Sequence, residues 1–133
     1  MRSVVPVCIA ATLTFGLACS EGSDVPESST EGPRRIAYGD DPSQFVDLYL
    51  PYDTSSPLPV VVLIHGGFWR AQYGLDLMVP LAEDLIERGY AVLNIEYRRV
   101  GSGGGYPGTL NDVAAAIDIL AAQSVALDLD NVV

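Results

Sequence analysis

The sequence predicts an α/β domain with a doubly wound, mostly parallel sheet led by an antiparallel hairpin. Three features carry that expectation. Residues 59–64, Pro-Val-Val-Val-Leu-Ile, form an unbroken β-branched and leucine run of the kind buried on both faces at the centre of a parallel sheet. A helical pattern and a second apolar run follow it, giving the strand, helix, strand order of a right-handed crossover. Ahead of it, two short strand patterns flank the turn cluster Gly39-Asp40-Asp41-Pro42-Ser43, as in a hairpin.

The first residues do not belong to that domain. Met1-Arg2-Ser3 carries one positive charge, and residues 4–18 are nearly all apolar or small, too short to span a membrane and well matched to a signal-peptide core. Gly16-Leu17-Ala18-Cys19 resembles a bacterial lipoprotein cleavage site with Cys19 as the lipid-bearing first residue of the mature protein; an ordinary export signal is the alternative. Cys8 would leave with the signal, so no disulfide is expected within the mature chain. Residues 19–34 are polar, acidic and rich in Ser, Gly and Pro, which predicts a disordered linker. The expected destination is the cell envelope or the exterior, with membrane contact only through a lipid on Cys19. Residues 35–133 then begin a folded domain of this class, which a chain this short is expected to leave truncated. A formal net charge of -10 and the absence of lysine argue against a nucleic-acid partner, because phosphate binding needs clustered Lys and Arg.

Within the domain, residues 35–38 and 44–50 are the hairpin strands, and residues 51–57 cross to the central strand. Leu75, Met78, Leu81, Ala82, Leu85 and Ile86 recur at helical spacing, and Pro80 is placed to open the main helix in its first turn. Gly89 supplies a left-handed cap, and residues 90–97 form the next strand. The glycine-rich stretch 101–108 has neither a dinucleotide fingerprint nor the Gly-Lys-Ser/Thr ending of a phosphate loop; it is either a rim loop of a site or a plain connection. Thr109 and Asp112 have the spacing of a capping box, before an apolar stripe of Leu110, Val113, Ala114, Ile117, Leu120 and Ala121. Asp112 is therefore expected as a cap, not a catalyst. Residues 126–133 predict a turn and then a strand opening near Val132.

The chemistry concentrates after the central strand. Gly66 and Gly67 let the backbone turn sharply at the carboxyl end of a strand, where open α/β sheets place their sites and where main-chain N–H groups can meet a developing negative charge. His65 is the one histidine and has no candidate nucleophile beside it, so it is expected as a scaffold residue of the loop and not a catalytic base. Phe68, Trp69 and Tyr73 would wall a substrate pocket or simply pack. Ser102 and Ser124 lack any nucleophile-elbow sequence, and no metal or other cofactor is expected.

The loop His65-Gly66-Gly67-Phe68-Trp69 behind its buried strand, the strand end Glu96-Tyr97-Arg98-Arg99, the Gly-Gly-Tyr-Pro that follows and the Asn111-Asp112 helix start together resemble the N-terminal part of α/β-hydrolases of the carboxylesterase and lipase-like group. The resemblance runs over residues 35–133. It implies hydrolysis of a small-molecule carboxylic ester by a Ser-His-Asp acyl-enzyme route, with Gly66, Gly67 and Phe68 forming the oxyanion loop through the amides of Gly67 and Phe68. It also implies that the 59–64 strand lies between the 91–97 strand and the one opening at Val132. The nucleophile, acid and base of that family follow in order after this region, and the 133 residues contain no Gly-x-Ser-x-Gly. The alternative reading is a non-catalytic, membrane-tethered lipoprotein whose hydrolase-like part is a binding module.

Overall fold

The computed structural model describes residues 32–55 and 57–133. The proposed signal peptide, Cys19 and nearly all of the acidic linker lie outside the described residues. Five strands form one sheet in the order β1-β2-β4-β3-β5: β1 is Arg34–Ala37, β2 Phe45–Tyr49, β3 Leu58–Ile64, β4 Ala91–Ile95 and β5 Leu127–Val132. β1, β2 and β4 pair antiparallel, whereas β3 pairs parallel with both β4 and β5. The leading hairpin and the parallel core are thus where the sequence puts them.

Each helix follows from a local signal. After a 3-10 turn at Leu75–Met78, helix α1 (Val79–Glu87) begins with Pro80 in its first turn, where a missing N–H costs nothing. It ends at Gly89, whose φ of 89° lets Tyr90 N–H reach back to the Leu85 carbonyl. Helix α2 (Gly108–Asp118) continues into a 3-10 turn at Ile119–Ala122. α1 buries Ala82 against Val92, Leu63 and Tyr49 on one face of the sheet. On the other face Ala116 and Leu120 pack on Val46, Val60, Leu93 and Ile95. Helices therefore leave the adjacent strands β3 and β4 toward opposite faces, which opens a crevice at the carboxyl ends of those two strands.

Two details differ from the expectations. Asp112 and Thr109 do not form a capping box: α2 has Pro107 at its N-cap and no side-chain cap. Thr109 Oγ1 instead accepts from Gly105 N–H (3.0 Å) and donates to the Arg98 carbonyl (2.6 Å). Asp112 is buried and takes Arg98 in a two-pronged pair, Nε at 2.8 Å and Nη2 at 2.7 Å, together with Arg98 N–H and the Gln44 amide. A buried carboxylate needs several donors, and a cap bond would have left this one underpaired. Likewise, β5 starts at Leu127, five residues before Val132. Its register jumps from Pro59↔Asp128 to Val60↔Val132, so residues 129–131 bulge out while the Asp128 carboxylate takes Asp130 N–H and the Asn131 amide. The expected turn is that bulge, and the expected strand is the ladder resuming at Val132.

Burial alone would push the Asp112 carboxyl up, but the Arg98 guanidinium, Arg98 N–H and Gln44 outweigh it and hold it below the usual carboxylate range. Its folded pKa being depressed, its contribution is present above the unfolded value of about 4 and is lost as pH falls through the folded value. Asp112→Asn should therefore cost about 3 kcal/mol at neutral pH in urea unfolding. The gap to wild type should shrink below about pH 4; a gap that does not change with pH would contradict this account.

Candidate functional site

The site is built at the carboxyl ends of β3 and β4. Their register, which ends at Ile64↔Ile95, brings His65 level with Glu96. His65 is buried, and its ring stacks on Tyr97 at 4.3 Å between centroids, tilted by 8°. Its Nε2 lies 3.2 Å from Glu96 Oε1, and its Nδ1 lies 2.9 Å from the Gly66 carbonyl oxygen. Tyr97 donates its hydroxyl to the His65 carbonyl at 2.6 Å. Two side chains just past the end of β4 thus hold the ring and the main chain of the residue from which the Gly-Gly loop springs.

Glu96 reaches further than His65. Its Oε1 also accepts from Tyr97 N–H (3.0 Å) and lies 3.3 Å from Arg99 Nη1, while its Oε2 accepts from Leu75 N–H at 3.1 Å. Asn94 of β4, two residues earlier on the same face, donates to the Leu75 carbonyl at 3.0 Å, so both main-chain polar groups of Leu75 are held by β4 and its immediate continuation. Arg99 in turn donates to the Tyr73 carbonyl. Burial would raise the Glu96 carboxyl, but His65, the two N–H groups and the Arg99 charge outweigh it and keep it below the usual carboxylate range. With Glu96 ionised, His65 Nε2 carries the proton of their hydrogen bond.

The loop between these anchors is a tight, strained turn. Arg70 N–H donates to the Gly67 carbonyl at 3.1 Å, and Gly67, Phe68 and Trp69 have φ of 122°, 54° and 55°. Two bulky aromatic residues in the left-handed region cost on the order of 1 to 3 kcal/mol each, a cost that persists only where the surroundings fix the backbone. Gly67 has no alternative: a Cβ there would lie 2.5 Å from Tyr73 Cδ2. Among the described residues, the N–H groups of Gly67 and Phe68 donate to no other group. A cavity of about 440 Å³ opens beside them, walled by Ile64, Gly66, Phe68, Trp69, Tyr97 and Leu110.

The five aromatic and glycine positions singled out in the sequence therefore gather in one loop, with Gly66, Gly67, Phe68 and Trp69 on the cavity. Tyr73 stands behind Gly67 and lines neither this cavity nor the smaller one beside it. Ser102 closes the glycine-rich turn, its hydroxyl bonding the N–H and carbonyl of Arg99, and that turn is tied down, not free: Gly104 packs so closely that a Cβ would sit 2.0 Å from the Arg98 oxygen. Sequence reasoning missed the part played by Glu96 and Tyr97, although their place beside the Gly-Gly loop follows from pairing the two parallel strands. Among the described residues no group of three or more His, Cys, Asp or Glu stands together as a metal site.

Comparison with known proteins agrees with this layout. The BD-FAE family model matches residues 46–132. A probable isoprenylcysteine alpha-carbonyl methylesterase of Oryza sativa subsp. japonica is 40% identical over 70 residues, 53% of this chain and 17% of that protein. The esterase LipC of Mycobacterium tuberculosis is 36% identical over 89 residues, 63% of this chain and 21% of that protein. The chain thus spans well under half the length of these relatives. Among solved structures, a bacterial heroin esterase superposes with a TM-score of 0.63 at 30% identity, covering 80% of this chain and 36% of that one. With the matched span, the doubly wound sheet and the loop at its crevice all in accord, the chain belongs to the BD-FAE family of the α/β-hydrolase fold.

Proposed function

We propose that this chain supplies the oxyanion loop of a carboxylic ester hydrolase. The observation that carries the reading is the pair of unpartnered N–H groups, Gly67 and Phe68, in a strained turn at the carboxyl end of β3 and beside a cavity. Such donors act by being aimed in advance at the oxygen that gains charge as a carbonyl becomes tetrahedral. The Glu96, His65 and Tyr97 contacts give that aim, because they hold the residue immediately before the glycines. His65 is a scaffold residue in this reading: both ring nitrogens face oxygens of the loop's own framework, and none of its contacts points to a reacting group.

The attacking serine, its acid and its base histidine would come from residues other than these, in an acyl-enzyme route like that of the resembling esterases. Phe68 and Trp69, both largely exposed at the loop tip, are placed to touch the ester. The names of the relatives, methylesterase and esterase, support carboxylic esters as the substrate class.

In the enzyme carrying this segment with its nucleophile, Gly67→Val should clash with Tyr73 and displace both donors. Turnover of a short-chain ester should fall about a hundredfold or more, with KM changing far less. Unchanged turnover would show that this loop is not the oxyanion hole and would favour a non-catalytic binding module.

We also propose export with a lipid anchor at Cys19, supported by the apolar run 4–18 and the small residues before the cysteine. Mass spectrometry of the mature protein should find a diacylglyceryl cysteine at its N-terminus; an unmodified N-terminus at a neighbouring residue would overturn the anchor and leave export alone.

A further inference from the structure

We propose that a second, smaller cavity beside the oxyanion turn receives the hydrocarbon group of the substrate, of about six carbons; that its ligand is an ester rests on the function proposed above. The cavity is lined by Trp69, Val100, Gly105, Tyr106, Thr109 and Leu110 and measures about 160 Å³. It is continuous with the turn. Val100 N–H donates to the Trp69 carbonyl at 2.9 Å, and Arg70 and Val100 form a parallel bridge, so the glycine-rich loop is stitched to the loop that carries the free N–H groups. Trp69, Thr109 and Leu110 wall both cavities, which places the small one within reach of a carbonyl held at the large one.

Its lining favours apolar occupants. No charged side chain lines it, and the Thr109 hydroxyl is already spent, accepting from Gly105 N–H and donating to the Arg98 carbonyl. A sugar or carboxylate entering would find few partners, the Trp69 indole N–H and the Tyr106 hydroxyl being the remaining polar groups of the lining. The size sets the scale: an enclosed apolar protein cavity of about 150 Å³ holds one benzene, and this one is of that volume but open to solvent along Trp69, Val100, Tyr106 and Leu110. A methyl group would leave most of the space empty, whereas a pentyl or cyclohexyl group would fill it. Gly105 holds its part of the wall with φ of 125°, and the Gly104 backbone packs against the Arg98 carbonyl, so the wall is set before any ligand arrives.

Trp69 is the single tryptophan of the sequence and walls both cavities, so its emission reports ester binding without turnover, and Val100, which lines only the small cavity, assigns the signal. Titrating the chain with ethyl hexanoate should shift that emission to the blue and saturate. Each added methylene should tighten binding about fourfold, so ethyl acetate, four methylenes shorter, should bind at least a hundredfold more weakly. Glucose should give no shift. Val100→Phe, which fills the space, and Leu110→Asp, which makes it polar, should each weaken hexanoate binding at least tenfold, while Leu77→Asp, at a comparably exposed site outside the cavity, should leave it unchanged. Absence of a saturable shift with hexanoate, equal binding of glucose, or undiminished binding in Val100→Phe would overturn the proposal. Because occupancy and not turnover is read, saturable binding in a protein without esterase activity would keep this cavity and discard hydrolysis, whereas an active esterase with no shift would do the reverse.

Discussion

A buried carboxylate, that of Glu96, is the constraint on which the rest of this site depends. A charge with so little access to water is costly unless donors surround it, and here they come from three directions: the His65 ring, the N–H groups of Leu75 and Tyr97, and Arg99. These donors sit at the roots of three loops, Tyr97 and Arg99 sharing one. Meeting the electrostatic demand of one side chain therefore fixes the exit from β3, the entry to α1 and the exit from β4 relative to one another. Removing the carboxylate would release all three, whereas removing any one donor would leave the others in place.

That framework explains how the chain tolerates the turn at Gly67, Phe68 and Trp69. Left-handed backbone at two aromatic residues is unfavourable in isolation, and the Gly67 to Arg70 hydrogen bond alone contributes only about 1 kcal/mol. The turn is held because its ends are: His65 by Glu96 and Tyr97, and Trp69 and Arg70 by the bridge to Val100. The strained turn leaves the N–H groups of Gly67 and Phe68 without a partner among the described residues, in a loop that lines a cavity. Tyr73 completes the support from behind, and its fit against Gly67 explains why that position must lack a Cβ.

Much of this was legible in the sequence because the signals are local. The apolar run at 59–64, Pro80 at a helix start, Gly89 at a helix end and the paired glycines after β3 each announce a backbone preference that tertiary structure does not override. The strand order came from the family resemblance of the same stretches. What could not be read is carried by contacts distant in sequence. Asp112 has the spacing of a cap, and only the arrival of Arg98 and Gln44 from other elements makes it an ion-pair centre. Tyr73 lies close to the loop in sequence, yet nothing local says that it backs Gly67 instead of facing a ligand. The bulge at residues 129–131 arises because the Asp128 carboxylate captures groups two and three residues ahead, an option that an apolar and polar pattern does not encode.

The central claim is that Glu96 fixes the loop without being needed for the sheet, and amide hydrogen exchange in Glu96→Ala tests it most directly. Protection should be lost at Leu75 N–H, which donates to Glu96, and at Arg70 N–H within the turn, while the β2, β4 and β3 ladder amides at Leu48, Leu93 and Val62 stay protected as in the wild type. Unchanged protection at Leu75 and Arg70, or an equal loss throughout the sheet, would contradict the account.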